Sequence, residues 1–241
     1  MILAFHDINK NFLSIEPLRF EYMIKVLKKN NFTFLSSEEF FSSINSNKRR
    51  NILLTFDDGY MGLYKYGLKI FKKYNLKGII FVVSKHVGKN AHWDKHLGIE
   101  KKLMGWEELK EFIRVGFEIG SHTLNHRELT SLSKNELYHE LFESKKIIEK
   151  ILNINVDKIA YPYYRTDWRV KTFSFLAGYR KGFGGIFGNG TMELRRLPVY
   201  PQTSIKEIVF FAKKEVPSLK TRVANIASRA NLFTARFKCF T

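Results

Sequence analysis

NILLTFDDGY, residues 51–60, is the stretch of sequence around which the chain is organised. Its apolar run, Ile52 to Leu54, is typical of a strand that is buried on both faces. The run leads into two adjacent carboxylates, Asp57 and Asp58, and then into Gly59, which permits a tight turn. Two neighbouring acids repel each other when they are buried, so the stretch indicates either a bound cation or a carboxyl group that keeps its proton. Taken alone, it also fits a solvated Asp-Asp-Gly turn.

A second polar motif follows a second apolar run. Phe117 to Ile119 and Gly120 precede SHTLNH, residues 121–126, which supplies His122 and His126. One carboxylate and two imidazoles suit zinc or another first-row divalent ion, with coordination positions left open for water. On one helical turn His122 and His126 would share a face. The pair alone is a weak signal, because surface histidines at this spacing are common.

Composition favours a folded protein and leaves its partner open. The chain has 241 residues, of which 44% are hydrophobic, enough for one large α/β domain or two small ones. The formal net charge of +18 favours polyanions such as nucleic acid or anionic lipid headgroups. A lysine-rich composition without functional meaning is the alternative, and we find no nucleic-acid-binding motif.

Cysteine use and the first residues bear on the cellular compartment. Cys239 is the single cysteine, so an internal disulfide is excluded. Residues 1–7 lack the basic and long apolar regions of a signal peptide, and no apolar run has the length of a membrane span. We therefore expect a cytoplasmic protein, peripheral at the inner face of the membrane if its tail binds lipid.

Predicted strands alternate with predicted helices along the chain, which favours an α/β fold with parallel strands joined by right-handed crossovers. In such folds, functional sites collect beyond the carboxyl ends of the strands. The polar residues at or just past those ends are His6, Asp57, Asp58, His122, His126 and the pair Pro162-Tyr163. We therefore expect one composite site within a domain over residues 1–215.

The paired acids make chemical sense in such a site. A divalent ion held by one acid and two histidines would lower the pKa of water and polarise a carbonyl oxygen. The second acid would then stay free to accept the proton of that water as a general base.

Three motifs carry a family resemblance. TFDDGY at 55–60, SHTLNH at 121–126 and YPY at 161–163 resemble, in order and spacing, the first three motifs of the polysaccharide deacetylase family. These are the proteins with a NodB-homology domain, carbohydrate esterase family 4, and the resemblance covers roughly residues 1–200. It implies a distorted (β/α) barrel and metal-dependent removal of acetyl groups from sugars.

The resemblance also implies roles for single residues. Asp57 matches the catalytic base, and Asp58, His122 and His126 match the metal ligands, with zinc as the expected ion. The backbone N–H of Tyr163 matches the oxyanion-hole donor that stabilises a tetrahedral intermediate.

Two departures from the family pattern bear on the proton transfers. Ala160 stands where the family often has an arginine that steadies the base, and Arg165 is the nearest arginine. The late Leu-x-His motif, which supplies the general acid, is absent, and residues 194–198 read LRRLP. His6 is the candidate replacement for that acid, and a purely structural histidine is an equal alternative.

A long connection, residues 84–105, is typical of a binding loop or lid. It carries His92 and Asp94, which are weaker candidates for the proton donor. Trp93 on this connection and Tyr164, which stands where a glycine usually follows the third motif, are the aromatic side chains that we expect to stack on a sugar ring.

Residues 216–241 form a tail with its own pattern, predicted to be a basic amphipathic helix. Its apolar positions recur at intervals of three and four: Leu219, Val223, Ile226, Ala230, Phe233 and Phe237. Such a helix either docks on the barrel or lies on an anionic membrane surface.

Three functional interpretations follow. The first is a carbohydrate N-deacetylase that acts on an N-acetylated sugar of a lipid-linked or nucleotide-linked glycan precursor. The second is a catalytically weak sugar-binding member of the same fold, suggested by the missing late histidine. The third, a charge-driven binder of anionic lipid or nucleic acid, leaves the paired acids and histidines unexplained.

Overall fold

The computed structural model describes residues 1–11, 14–43, 50–93 and 101–214. The strands within these ranges are β1 (Ile2–Phe5), β2 (Thr33–Phe34), β3 (Asn51–Phe56), β4 (Gly78–Val82), β5 (Asn90–Ala91), β6 (Lys101–Lys102), β7 (Glu118–Ser121), β8 (Lys158–Ala160), β9 (Lys181–Phe183) and β10 (Leu197–Pro198). The α-helices are α1 (Pro17–Lys29), α2 (Ser37–Ser42), α3 (Leu68–Tyr74), α4 (Trp106–Arg114), α5 (Lys134–Leu152), α6 (Trp168–Leu176) and α7 (Ile205–Lys214).

One curled parallel sheet dominates the described residues. Its order is β10-β1-β3-β4-β7-β8-β9, and β2 pairs with the start of β3. An isolated parallel bridge between Phe183 and Leu194 connects the far edge, β9, to the segment that leads into β10. The sheet therefore closes on itself as a distorted barrel with helices outside, which confirms the fold class predicted from the sequence.

The alternation of side chains along β3 separates two apolar clusters. Ile52, Leu54 and Phe56 belong to the large cluster between the sheet and the helices. Leu53 belongs to a smaller cluster on the opposite, inner face of the sheet. Because successive residues of a strand point to opposite faces, the apolar run at 52–54 marks a strand buried on both sides, as predicted.

Two of the described helices begin at capping boxes. Ser36 caps α2 and Ser133 caps α5, each in a capping box completed by a glutamate three residues later. The connection over residues 84–105 differs from a plain loop, because β5 and β6 pair within it as an antiparallel hairpin. Leu103, which directly follows β6, forms a bridge with Tyr60 in the turn after β3. The pair β5–β6 therefore lies beside the end of β3.

The basic tail predicted over residues 216–241 lies outside the described residues. The domain boundary predicted at residue 215 lies outside them as well. Among the helices that the structure does describe, none combines the length and the apolarity needed to cross a membrane.

Candidate metal centre

The ends of β3 and β7 bring three predicted metal ligands together. Asp58, His122 and His126 are all buried, and each offers a ligand atom, all of which lie within 4.8 Å of one another. Asp58 Oδ1 lies 3.2 Å from His126 Nε2 and 3.6 Å from His122 Nε2. We call these three residues the triad. Their meeting follows from the parallel sheet, in which strand ends share one edge.

The second nitrogen of each imidazole has its own partner. His122 Nδ1 lies 2.8 Å from the backbone oxygen of Ala160, to which it can only donate. His126 Nδ1 lies 3.3 Å from the hydroxyl of Tyr163. Both Nε2 atoms are thereby left to face Asp58, and a hydrogen bond from the second ring nitrogen is the arrangement that orients metal-binding histidines in proteins.

The charges of the triad fit a divalent cation. Burial raises the pKa of Asp58, but the adjacent imidazoles of His126 and His122 outweigh burial and hold that pKa well below its ordinary value. Burial lowers the pKa of His122 to about 4, so its imidazole is neutral at pH 7. Asp58 Oδ1 is buried without a hydrogen-bond partner among the described residues. An ionised carboxylate beside the neutral imidazole of His122 matches the protonation state that a metal requires of its ligands.

The other acid of the pair is held apart from the triad by an arginine. Arg196 Nη1 and Nη2 donate to the two carboxylate oxygens of Asp57 at 2.7 and 2.9 Å. Both side chains are almost fully buried. Burial raises the pKa of Asp57, but the guanidinium of Arg196, together with the imidazoles of His122 and His6, more than offsets burial and keeps that pKa below its ordinary value. Asp57 is therefore ionised and available to accept a proton.

This arginine corrects the sequence analysis. We expected no arginine beside the base, with Arg165 as the nearest one, but Arg165 pairs with Glu128 at 3.4 Å. The guanidinium comes from Arg196, in the LRRLP segment that the sequence analysis noted for its missing histidine. Arg196 Nε also donates to Gly184 O at 2.9 Å, which fixes the side chain inside the barrel.

His6, at the end of β1, lies at the same site. It is half-buried, and it is near enough for its charge to lower the pKa of both Asp57 and Asp58. Its ring meets the ring of Tyr164 edge-on, with centroids 6.4 Å apart. The structure thus brings the predicted general acid and the predicted base together, and the catalytic role of His6 stays a prediction.

The stacking role predicted for Tyr164 is wrong. Its side chain is only 5% exposed, and its ring packs against the guanidinium of Arg196 at 5.3 Å. Burial raises the pKa of Tyr164 far above its ordinary value, so the hydroxyl stays protonated. Tyr164 is therefore part of the packing beneath Asp57 and presents no open face to a sugar.

Trp93 lies directly against the triad. Its indole stacks on the ring of His126, with centroids 4.4 Å apart and an angle of 15° between the planes. Trp93 Nε1 donates to the hydroxyl of Tyr60 at 3.2 Å, which holds the indole in place. One face of Trp93 is thus covered by a triad residue, and stacking of a sugar on the opposite face stays a prediction.

The loops of the site have unusual backbone conformations. Five non-glycine residues there have positive φ: Asp58 (70°), Thr123 (69°), His126 (59°), Tyr163 (59°) and Tyr164 (56°). Each such residue costs on the order of 1–3 kcal/mol and persists only where surrounding contacts impose it, as is common at functional sites. The ring of Tyr163 meets the ring of His126 edge-on, with centroids 4.8 Å apart. The role of the Tyr163 backbone N–H as oxyanion donor also stays a prediction.

A buried acid on α5 supports the loop that carries the triad histidines His122 and His126. The Glu140 carboxylate, 1% exposed, accepts from the backbone N–H of Asn125 at 2.9 Å and from its side-chain Nδ2 at 2.7 Å. Asn125 directly precedes His126, so the contact fixes the loop between the two triad histidines. The sequence analysis missed Glu140, although a charged residue on the apolar face of a helix, next to Leu137 and Leu141, was a signal for it.

Comparison with known proteins finds similar sequences. The sequence model of the polysaccharide deacetylase family matches residues 44–182. The chain is 29% identical over 185 residues to the Bacillus subtilis (strain 168) protein YxkH, covering 75% of this chain and 62% of that protein. It is 31% identical over 165 residues to the poly-β-1,6-N-acetyl-D-glucosamine N-deacetylase of Staphylococcus aureus (strain MSSA476), covering 64% of this chain and 54% of that enzyme.

Two solved structures share the fold. Streptococcus pyogenes deacetylase PplD, solved in complex with acetate, superposes with a TM-score of 0.72 at 27% identity, over 87% of this chain and 96% of that one. IcaB from Ammonifex degensii superposes with a TM-score of 0.77 at 18% identity, over 88% of this chain and 96% of that one, and at this identity it supports the fold alone.

Proposed function

Because this chain belongs to the polysaccharide deacetylase family, whose sequence model matches more than half of its length, we propose that it is a metal-dependent carbohydrate N-deacetylase. The observation that carries this proposal is the separation of the two adjacent acids. Asp58 faces two imidazoles, whereas Asp57 is paired with Arg196 and is free of the triad. A protein that only binds sugar has no need of a second, ionised acid beside a metal site.

The triad is where the ion would bind. One carboxylate and two imidazoles suit zinc, which we propose as the native metal. When bound, the ion would supply a more acidic water and a polarised acyl carbonyl.

Amide hydrolysis takes one proton from the attacking water and gives one proton to the leaving amine. Different residues around the triad carry out these two transfers. Asp57 accepts a proton from the attacking water, and Arg196 keeps Asp57 ionised and oriented for that step. The backbone N–H of Tyr163 donates to the oxygen of the tetrahedral intermediate. The imidazolium of His6 donates a proton to the leaving amine as the carbon–nitrogen bond breaks, giving acetate and a free amino sugar.

Replacing His6 with alanine is expected to lower turnover by about 100- to 10,000-fold, because the leaving amine loses its proton donor. Metal content should stay at the wild-type level, since His6 is no member of the triad. Acetate release and metal analysis of the same preparation check both statements. Turnover near the wild-type rate would remove His6 from the mechanism, and His139→Ala on the exposed face of α5 is the matched control.

The substrate is proposed as an N-acetylated sugar. The S. aureus relative is named for poly-β-1,6-N-acetyl-D-glucosamine, which makes β-1,6-linked N-acetylglucosamine oligomers the first substrates to assay. Lipid-linked and nucleotide-linked N-acetyl sugars are the alternatives that a cytoplasmic location would favour. The chain spans 62% and 54% of the length of the two curated relatives, so the substrate has to be measured on this chain itself.

The proposed activity predicts acetate and free amine in equal amounts from at least one of these substrates. A chelator should abolish release, and added Zn²⁺ should restore it, because the triad alone supplies no activated water. Absence of acetate from every substrate with metal-loaded protein would favour the sugar-binding interpretation. Release that resists complete removal of metal would contradict the role of the triad.

A further inference from the structure

Two histidines outside the triad lie side by side at its edge. His86 ends a short 3₁₀ turn after β4, and His92 directly follows β5. Their ring centroids are 4.6 Å apart, compared with 4.9 Å for the triad histidines His122 and His126. We propose that His86 and His92, here called the rim pair, bind a second divalent transition-metal ion beside the candidate metal centre.

The side chain of Asn125, the residue before His126, is close to His86. The His86 imidazole lies within hydrogen-bonding reach of it. The amide nitrogen of Asn125 donates to Glu140 at 2.7 Å, which holds that side chain in place. When one ring nitrogen of His86 donates to the amide oxygen of Asn125, the other carries a lone pair, as in metal-binding histidines whose other nitrogen donates to a fixed acceptor.

The ligand type and the charges around the rim pair decide which metal ions it binds and how tightly it binds them. Imidazole nitrogen suits zinc, copper and nickel better than magnesium or calcium. His86 is half-buried and His92 is exposed, so water can complete the coordination. Two imidazoles are a smaller ligand set than the triad, and the charges of Lys85 and Lys89 act on His86. The second ion therefore binds more weakly than the ion of the triad.

Trp93 connects the rim pair to the triad. Its indole meets His92 at 5.3 Å and His86 at 5.8 Å, both edge-on, and stacks on His126 at 4.4 Å. An ion at the rim pair thus lies one aromatic ring away from the triad and fixes the residues next to Trp93. The ion at the rim pair narrows the path by which substrate reaches the metal centre, so excess metal inhibits the proposed reaction.

Counting bound metal tests the proposal without reference to activity. The full chain is dialysed against a series of free Zn²⁺ concentrations, and bound zinc is measured per protein. We expect two binding steps for the wild type and for His139→Ala, the exposed histidine of α5. We expect the tighter step alone for the double variant His86→Ala/His92→Ala, and the persistence of that step shows that the variant is folded.

Each outcome decides the proposal. A wild-type chain that saturates at one zinc, or a double variant that keeps both steps, overturns it. A second arm rests on the proposed deacetylase activity: Zn²⁺ above one equivalent should inhibit acetate release by the wild type, and the double variant should resist this inhibition. If the chain proves inactive on every substrate, the zinc count still stands, so the two proposals fail separately.

Discussion

Replacing Asp57 with asparagine is expected to lower acetate release by about 100- to 10,000-fold while metal content stays at the wild-type level. Asparagine cannot accept a proton at neutral pH, so the attacking water loses its base. The triad, Asp58 with His122 and His126, is unchanged by the substitution. Steady-state rates and metal analysis on one preparation measure the two effects together.

The adjacent acid provides the matched control. Asp58→Asn should lose metal and activity together, because it removes the carboxylate of the triad. Asp57→Asn leaves the buried guanidinium of Arg196 with a weaker partner, so its unfolding midpoint in urea has to be recorded and the rates measured well below it. Turnover within threefold of the wild type, or loss of metal from Asp57→Asn, would contradict the separate roles of the two acids.

The triad was predictable because local sequence encodes it. Apolar runs set the ends of β3 and β7, and a parallel sheet places such ends at one edge, so Asp58 and His122 were expected at the same edge. The two side chains meet there although β4 lies between their strands. Gly59 at φ 75° confirms the tight turn expected after the paired acids. The capping boxes at Ser36 and Ser133 were equally local signals.

The partner of Asp57 was not predictable in the same way. Arg196 is 139 residues away in sequence and reaches Asp57 because β10, which it precedes, pairs with β1 beside β3. No periodicity in LRRLP distinguishes the buried Arg196 from the exposed Arg195 before the register of β10 is known. Tyr164 failed as a prediction for a related reason, since left-handed backbone at two successive tyrosines turns its ring into the barrel.

Replacing Arg196 with methionine is expected to lower the free energy of unfolding by about 3–5 kcal/mol, because it leaves the buried Asp57 charge without its partner. It should also move the acid limb of the kcat–pH profile to higher pH. Burial raises the pKa of Asp57, and Arg196 is the strongest influence that opposes burial. Without Arg196 the pKa rises, and a protonated Asp57 cannot accept a proton from water.

The pH profile separates this role from a merely structural one. Arg195→Met, one residue away on the exposed side, should leave both the stability and the acid limb unchanged. Arg196→Lys keeps the charge but loses the paired hydrogen bonds, so its acid limb should lie between those of the wild type and Arg196→Met. An unshifted acid limb in Arg196→Met would mean that the arginine only supports the fold. The double variant Asp57→Asn/Arg196→Met should be less destabilised than the sum of its single variants, because neither buried charge is then left unpaired.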